Sequence, residues 1–142
     1  MLEILSTLDK LIRVDVTATS WALNSGVTGT FVKINGANGA TRPAAGEWAL
    51  PIWNESSRTD AVGAFTPDTN ATGKVTLLYG KLHAKTDQFS GTPAAGDKLS
   101  VDANGKLQVE SGSGIVVAIC VRASHTHTYL RKNYSVIEFF TI

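Results

Sequence analysis

Residues 97–109 read DKLSVDANGKLQV, and this stretch decides the fold. Apolar and polar residues alternate on both sides of DANG. A period of two places successive side chains on opposite faces of a strand. The intervening turn is hairpin chemistry, because Gly105 is free to take positive φ. A β-hairpin is therefore predicted here, and its immediate neighbours extend the pattern. Upstream stands PAAGD (93–97), which repeats PAAGE (43–47) fifty positions earlier, each time ahead of a strand-like run. Each copy reads as a turn that re-aims the chain into the next strand. Duplication of half a domain is the alternative, although the rest of the two halves does not align. Downstream, ESGSG makes another turn before IVVAICVRA (115–123). There Ile115, Val117, Ile119 and Val121 share one face, while Val116, Ala118 and Cys120 share the other. This segment reads as a central strand. THTYL and SVIEFFTI then supply two more strands, the last running to Ile142.

Toward the start of the chain the pattern is less regular. Ile4, Leu5, Leu8, Leu11 and Ile12 have helical spacing, so residues 1–11 form either a short helix or an extended arm docked on a neighbour. From Leu11 the period becomes two, with Ile12, Val14 and Val16 on one face of a half-buried strand. GTFVKI (29–34) is another strand, closed by NGANG. EWALPIW (47–53) places Trp48, Leu50 and Ile52 together and Trp53 opposite, and Pro51 assigns it to a sheet edge. Residues 54–73 form a long loop, with Val62 and Phe65 as pins; loops of this length usually bind something or are disordered. KVTLLYGKLHAKTDQF (74–89) reads as one long strand bent at Gly80. The sum is about eight short strands and no internal helix: one all-β domain over 1–142, a β-barrel or β-sandwich.

Composition narrows the function classes. The 142 residues suffice for one core, 43% are hydrophobic, and 18% are charged against about 25% in average soluble domains. A net charge of +1 without any basic run lacks the footprint of nucleic-acid binding. Nothing in the sequence approaches the roughly 20 apolar residues of a membrane-spanning helix. MLEILSTLDKL carries Glu3 and Asp9 and no basic start, unlike a secretory signal. The lone Cys120 reads as a small buried apolar side chain.

Catalytic signatures are sparse. Neither a nucleophile elbow, a phosphate-binding glycine loop nor a zincin helix motif occurs. On a strand, His125, His127 and Tyr129 share a face, and with His83 they could hold a metal. The simpler reading is a half-exposed strand with hydrogen-bonded imidazoles, so no metal and no cofactor is expected. Acidic residues in SRTDAVG and TPDTNATG are too sparse for a calcium loop.

PAAGDKLSVDANGKLQVESGSGIVVAICVRA (93–123) resembles the C-terminal half of the small head-decoration proteins of tailed bacteriophages, also called capsid cement or stabilisation proteins. The shared pattern is Gly96-Asp97, a strand from Leu99 to Asp102, a Gly-Lys-Leu turn at Gly105 to Leu107, a Gly/Ser link, and a Val/Ile/Ala strand from Ile115 to Ala123. The resemblance implies a non-enzymatic virion protein, made in the host cytoplasm and bound to the outer capsid surface. It further implies a homotrimer or homodimer that bridges and stabilises subunits of the major capsid protein. The contact elements expected from the sequence are the N-terminal segment (Leu2, Ile4, Leu5, Leu8), Trp53, the long loop with Phe65, and the last strand with Phe140 and Ile142. The competing expectation is a tail, head-fibre or receptor-binding tip domain that stacks host surface glycans on Trp21, Trp48 and Trp53. A small metal-binding or enzymatic module built on His125 and His127 is the third.

Overall fold

The hairpin forms as expected. In a computed structural model of the chain, β10 (Lys98–Val101) pairs antiparallel with β11 (Leu107–Val109), Leu99 opposite Val109 and Val101 opposite Leu107, and Gly105 takes φ +72°. The structure describes residues 1–7, 10–36, 39–53, 57–59, 65–67 and 73–142.

Two sheets carry the fold. The larger has six antiparallel strands in the order β1 (Leu2–Thr7), β9 (Leu82–Thr86), β13 (Lys132–Thr141), β12 (Ala118–Tyr129), β10, β11. It curls back on itself, because the chain just after β9 returns to bridge β11. There Ser90 N–H donates to Leu107 O at 2.8 Å, and Leu107 N–H donates to Gln88 O at 3.0 Å. The smaller sheet runs β5 (Leu50–Pro51), β3 (Phe31–Ile34), β4 (Gly39–Thr41), β2 (Ile12–Ala18), β8 (Lys74–Tyr79), with β2 and β4 parallel. A bridge from Ile52 to Leu77 and a 2.8 Å bond from Trp53 N–H to Thr76 O join its two outer strands. The protein is all-β; both sheets curl back on themselves, and β1, at the end of the strand order, is left as an edge strand of the larger. A separate ribbon pairs β6 (Ser57–Thr59) with β7 (Phe65–Pro67). Leu8, Val62 and the remainder of the predicted loop up to residue 72 lie outside the described residues.

Each sheet encloses a core. Phe139, Ile137, Leu99, Leu107, Cys120 and Leu82 gather in the larger, and Val32, Ile52, Val75, Leu77 and Ala22 in the smaller. Strands β3 and β8 serve both. Phe31 and Leu78 turn to the first cluster, while their neighbours Val32 and Leu77 turn to the second. Burial on both faces is why these strands read as apolar runs rather than clean alternations.

The two Pro-Ala-Ala-Gly-acid segments fold alike. Pro43 and Pro93 are buried, and Gly46 and Gly96 adopt φ of +77° and +92°. Glu47 N–H donates to Ala44 O while Ala44 N–H donates back to the Glu47 carboxylate at 2.7 Å; Asp97 and Ala94 repeat both bonds, the second at 2.8 Å. The acid thus closes its own turn by satisfying a backbone donor. That bond, with help from Lys33, holds the Glu47 carboxyl below the ordinary carboxylate range. Each glycine then hands its N–H to the larger sheet, Gly46 to Val101 O and Gly96 to Cys120 O, both at 2.8 Å.

Several expectations are corrected. The N-terminus is extended rather than helical, but it docks on its own chain and not on a neighbour: Leu2–Thr7 is a strand paired with β9, with Leu2 buried and Ile4 packed on the core. Pairing with β9 supplies every second backbone group with a partner, which an isolated short helix does less well. Gly80, at φ +140°, does not bend one strand but separates β8 from β9, which belong to different sheets. Ile12 and Val14 are exposed, and only Val16 of that predicted face is buried. A six-residue helix, α1 (Ser20–Ser25), was not expected; its Ala22 plugs the smaller core. The segments read as IVVAICVRA and THTYL are one strand, β12, which starts at Ala118. It lies between β13 and β10, as a central strand should; its inward residues include Ala118 and Cys120, while Ile115, ahead of it, is exposed. Small residues win that position because the Phe139 ring lies directly across from Cys120.

Cys120 is enclosed and its thiol pKa is raised, chiefly by burial and secondarily by the Asp97 charge. The thiolate is the reactive form. Native protein at neutral pH is therefore expected to show no titratable thiol toward a disulfide reagent within minutes, and one thiol per chain once unfolded in guanidinium.

Candidate docking surface

Where the two sheets meet, the chain leaves apolar groups uncovered. Ile12 opens β2 directly across from Tyr79, which ends β8. Trp48 stands just past the first acid-closed turn, and Ile142 follows β13, its N–H bonded to Val117 O at 3.1 Å. These four are 52%, 54%, 46% and 64% exposed and flank a groove of about 320 Å³. Its floor is core: Phe31, Ala49, Leu78 and Val117. Lys10 and Lys81 stand at the rim, and no Asp or Glu side chain is among the described residues lining it. A second hollow of about 290 Å³ shares Lys81 and Thr141 with the first and runs on to Phe140, which is 47% exposed. Phe140 lies over the His83 ring, centroids 4.7 Å apart. The two hollows adjoin through Lys81 and Thr141, so the exposed apolar side chains stand around a mixed surface with a basic rim rather than scattered singly over the protein.

Of the residues expected to make contacts, Phe140 and Ile142 belong to this surface, and Leu5 is exposed on β1. Leu2, Ile4 and Trp53 instead spend their apolar area on the protein's own core, and Arg13 covers the Trp53 ring at 5.4 Å. Phe65 falls on β7, and Leu8 lies outside the described residues. Sequence reasoning missed Ile12, Tyr79 and the two lysines. It grouped Trp48 with Leu50 and Ile52 on one strand face, whereas the strand is only Leu50–Pro51 and Trp48 precedes it.

The tryptophans and histidines are dispersed. Trp21 packs on the smaller core beneath Arg42, whose guanidinium lies 5.8 Å from the ring and donates to Ala103 O and Asn104 Oδ1. His127 meets Glu3 at 2.5 Å, His83 meets Glu138 at 2.5 Å, and His125 Nδ1 lies 2.9 Å from Ala123 O. His125, His127 and Tyr129 do share a half-buried face, as their spacing implied. Each imidazole has one polar neighbour, although His125 Nε2 is buried without one, and among the described residues no three of His, Cys, Asp and Glu converge as metal ligands. No helix among the described residues is long and apolar enough to cross a membrane. Comparison with protein-family models finds no match for this chain, and comparison with curated proteins finds none.

Proposed function

We propose that this protein is a structural component of a tailed-phage virion that binds the outside of the head and ties neighbouring major capsid protein subunits together. The observation that carries the reading is the groove of Ile12, Trp48, Tyr79 and Ile142, continued by Phe140, on a β body whose core is already filled. Covering one large apolar side chain is worth about 1.5–3 kcal/mol. The four groove side chains are already about half covered, so a partner that fills the groove gains about half of that from each, and only where the shell presents matching surface. A ligand specific for the assembled shell stabilises that state by mass action. Self-association into a dimer or trimer would multiply the contacts per particle through avidity. The resemblance of residues 93–123 to head-decoration proteins points the same way.

The test is reconstitution. Purified protein is added to expanded heads that lack it, followed by sedimentation and thermal melting of the heads. Saturable binding in near-stoichiometric ratio to the shell subunit, with a raised melting temperature, is expected. The double substitution Trp48→Ser/Tyr79→Ser keeps the core and is expected to weaken binding at least 100-fold, since each buried aromatic anchor at an interface contributes about 2 kcal/mol or more. Failure of the wild-type protein to bind heads overturns the reading. Recovery in a few copies per virion together with glycan binding would assign it to a tail or fibre tip.

A further inference from the structure

Strands β12 and β13 run on past their neighbours. β10 reaches β12 at Ala118 and Ile119, and β9 reaches β13 from Ile137 to Phe140, so residues 121–136 form a two-stranded arm. The arm is braced. Ser124 Oγ and Ser135 Oγ lie 2.8 Å apart, Thr128 donates to Asn133 Oδ1 at 2.7 Å, and His127 fastens it to Glu3.

Its tip breaks two rules at once. Tyr129 pairs with Lys132, leaving a two-residue loop of Leu130 and Arg131 with φ of +49° and +65°. Loops of this geometry call for Asn, Asp or Gly, because side chains with a bulky branch are strained in the left-handed region. Leu130 is also 80% exposed. Strain of roughly 1–3 kcal/mol per residue persists where it serves a purpose, and here the tip adds nothing to either core.

We infer that this tip is a second anchor, Leu130 entering an apolar pocket on an acidic face of the shell protein. The inference rests on the head-binding reading and names the chemistry of the partner. Between residues 121 and 135 the arm carries Arg122, Arg131 and Lys132 and neither Asp nor Glu. The groove of a second copy is the wrong receptor, since Lys10 and Lys81 guard it. One leucine is too little apolar area to hold a bilayer, and three cations give only weak, salt-sensitive nucleic-acid binding.

The decisive variant is Leu130→Asn/Arg131→Gly, which installs the residues the turn prefers and removes the anchor. It is expected to melt at the wild-type temperature or above, yet to bind heads at least tenfold more weakly. Arg131→Glu/Lys132→Glu is expected to weaken binding similarly and to lessen its dependence on salt. Should the Asn-Gly variant bind heads within about twofold of wild type while the Trp48/Tyr79 variant fails, the tip inference falls and the head-binding reading stands. If wild-type protein binds no heads, both fall. Binding to phosphatidylcholine–phosphatidylserine vesicles or to duplex DNA that the same swap abolishes would overturn the choice of a protein partner.

Discussion

Phe139→Ala is expected to lower the unfolding free energy by about 3–5 kcal/mol, the range for deleting a fully buried aromatic ring. Against a total of about 5–15 kcal/mol for an ordinary domain, that is enough to leave the protein marginal. The position explains the size. Phe139 is completely enclosed on β13, between Cys120 of β12 and Ala84 of β9. Small residues on both sides make room for the ring, so neither cross-strand neighbour is long enough to fill the hole it would leave. Across the core its ring meets Phe31 edge-on, centroids 6.3 Å apart and planes at 60°. Phe31 belongs to the other sheet, so the loss falls on the contact between sheets as well as within one. Urea denaturation followed by circular dichroism measures the effect. Phe140→Ala is the internal control. One residue along the strand and 47% exposed, it should cost under about 1 kcal/mol. Equal losses from the two would mean that the alternation of β13 is misassigned.

The strand itself was legible in the sequence, as were several others, and the reason is chemical. Segments bounded by Gly, Pro or Asn announce themselves, because those residues are needed wherever the backbone turns sharply. The 97–109 hairpin and both Pro-Ala-Ala-Gly-acid turns were readable on that ground, down to Gly105 as the positive-φ residue. The long β12–β13 hairpin was not readable, since its turn uses Leu130 and Arg131, and residues 115–129 were divided into two strands. Gly80 signalled a change of direction correctly, but not that the two sides of it join different sheets. Exposure was the hardest property to foresee. Ile12, Val14 and Val16 satisfy the pattern of a buried face equally well, yet only Val16 is covered. Which apolar residues stay outside depends on where the two sheets touch, and periodicity within one strand carries no record of that. The groove was therefore foreseen only through Phe140 and Ile142 of its members, and its lysines were not foreseen at all.

Gly105→Ala is expected to cost about 2–4 kcal/mol, far more than a methyl group suggests. Gly105 sits in the β10–β11 turn with φ +72°, where any L-side chain is strained by roughly 1 kcal/mol or more. A Cβ there would stand 2.3 Å from Phe31 O and 2.7 Å from Thr30 Cγ2. The turn would have to back away, and the 2.8 Å bond from Phe31 N–H to Gly105 O would lengthen or break. A buried donor left without its acceptor costs about 1–3 kcal/mol more. That bond joins the larger sheet, through its hairpin, to β3 of the smaller one, so the substitution loosens the seam between the halves. Gly91→Ala separates strain from seam. Gly91 has nearly the same φ, +71°, but nothing within 4 Å of an added Cβ, so it should cost only about 1 kcal/mol. Because Phe31 also floors the groove, Gly105→Ala in folded protein should weaken the proposed head binding as well, whereas Gly91→Ala should not. Identical melting curves for the two alanine variants would show that the hairpin turn does not hold the sheets together.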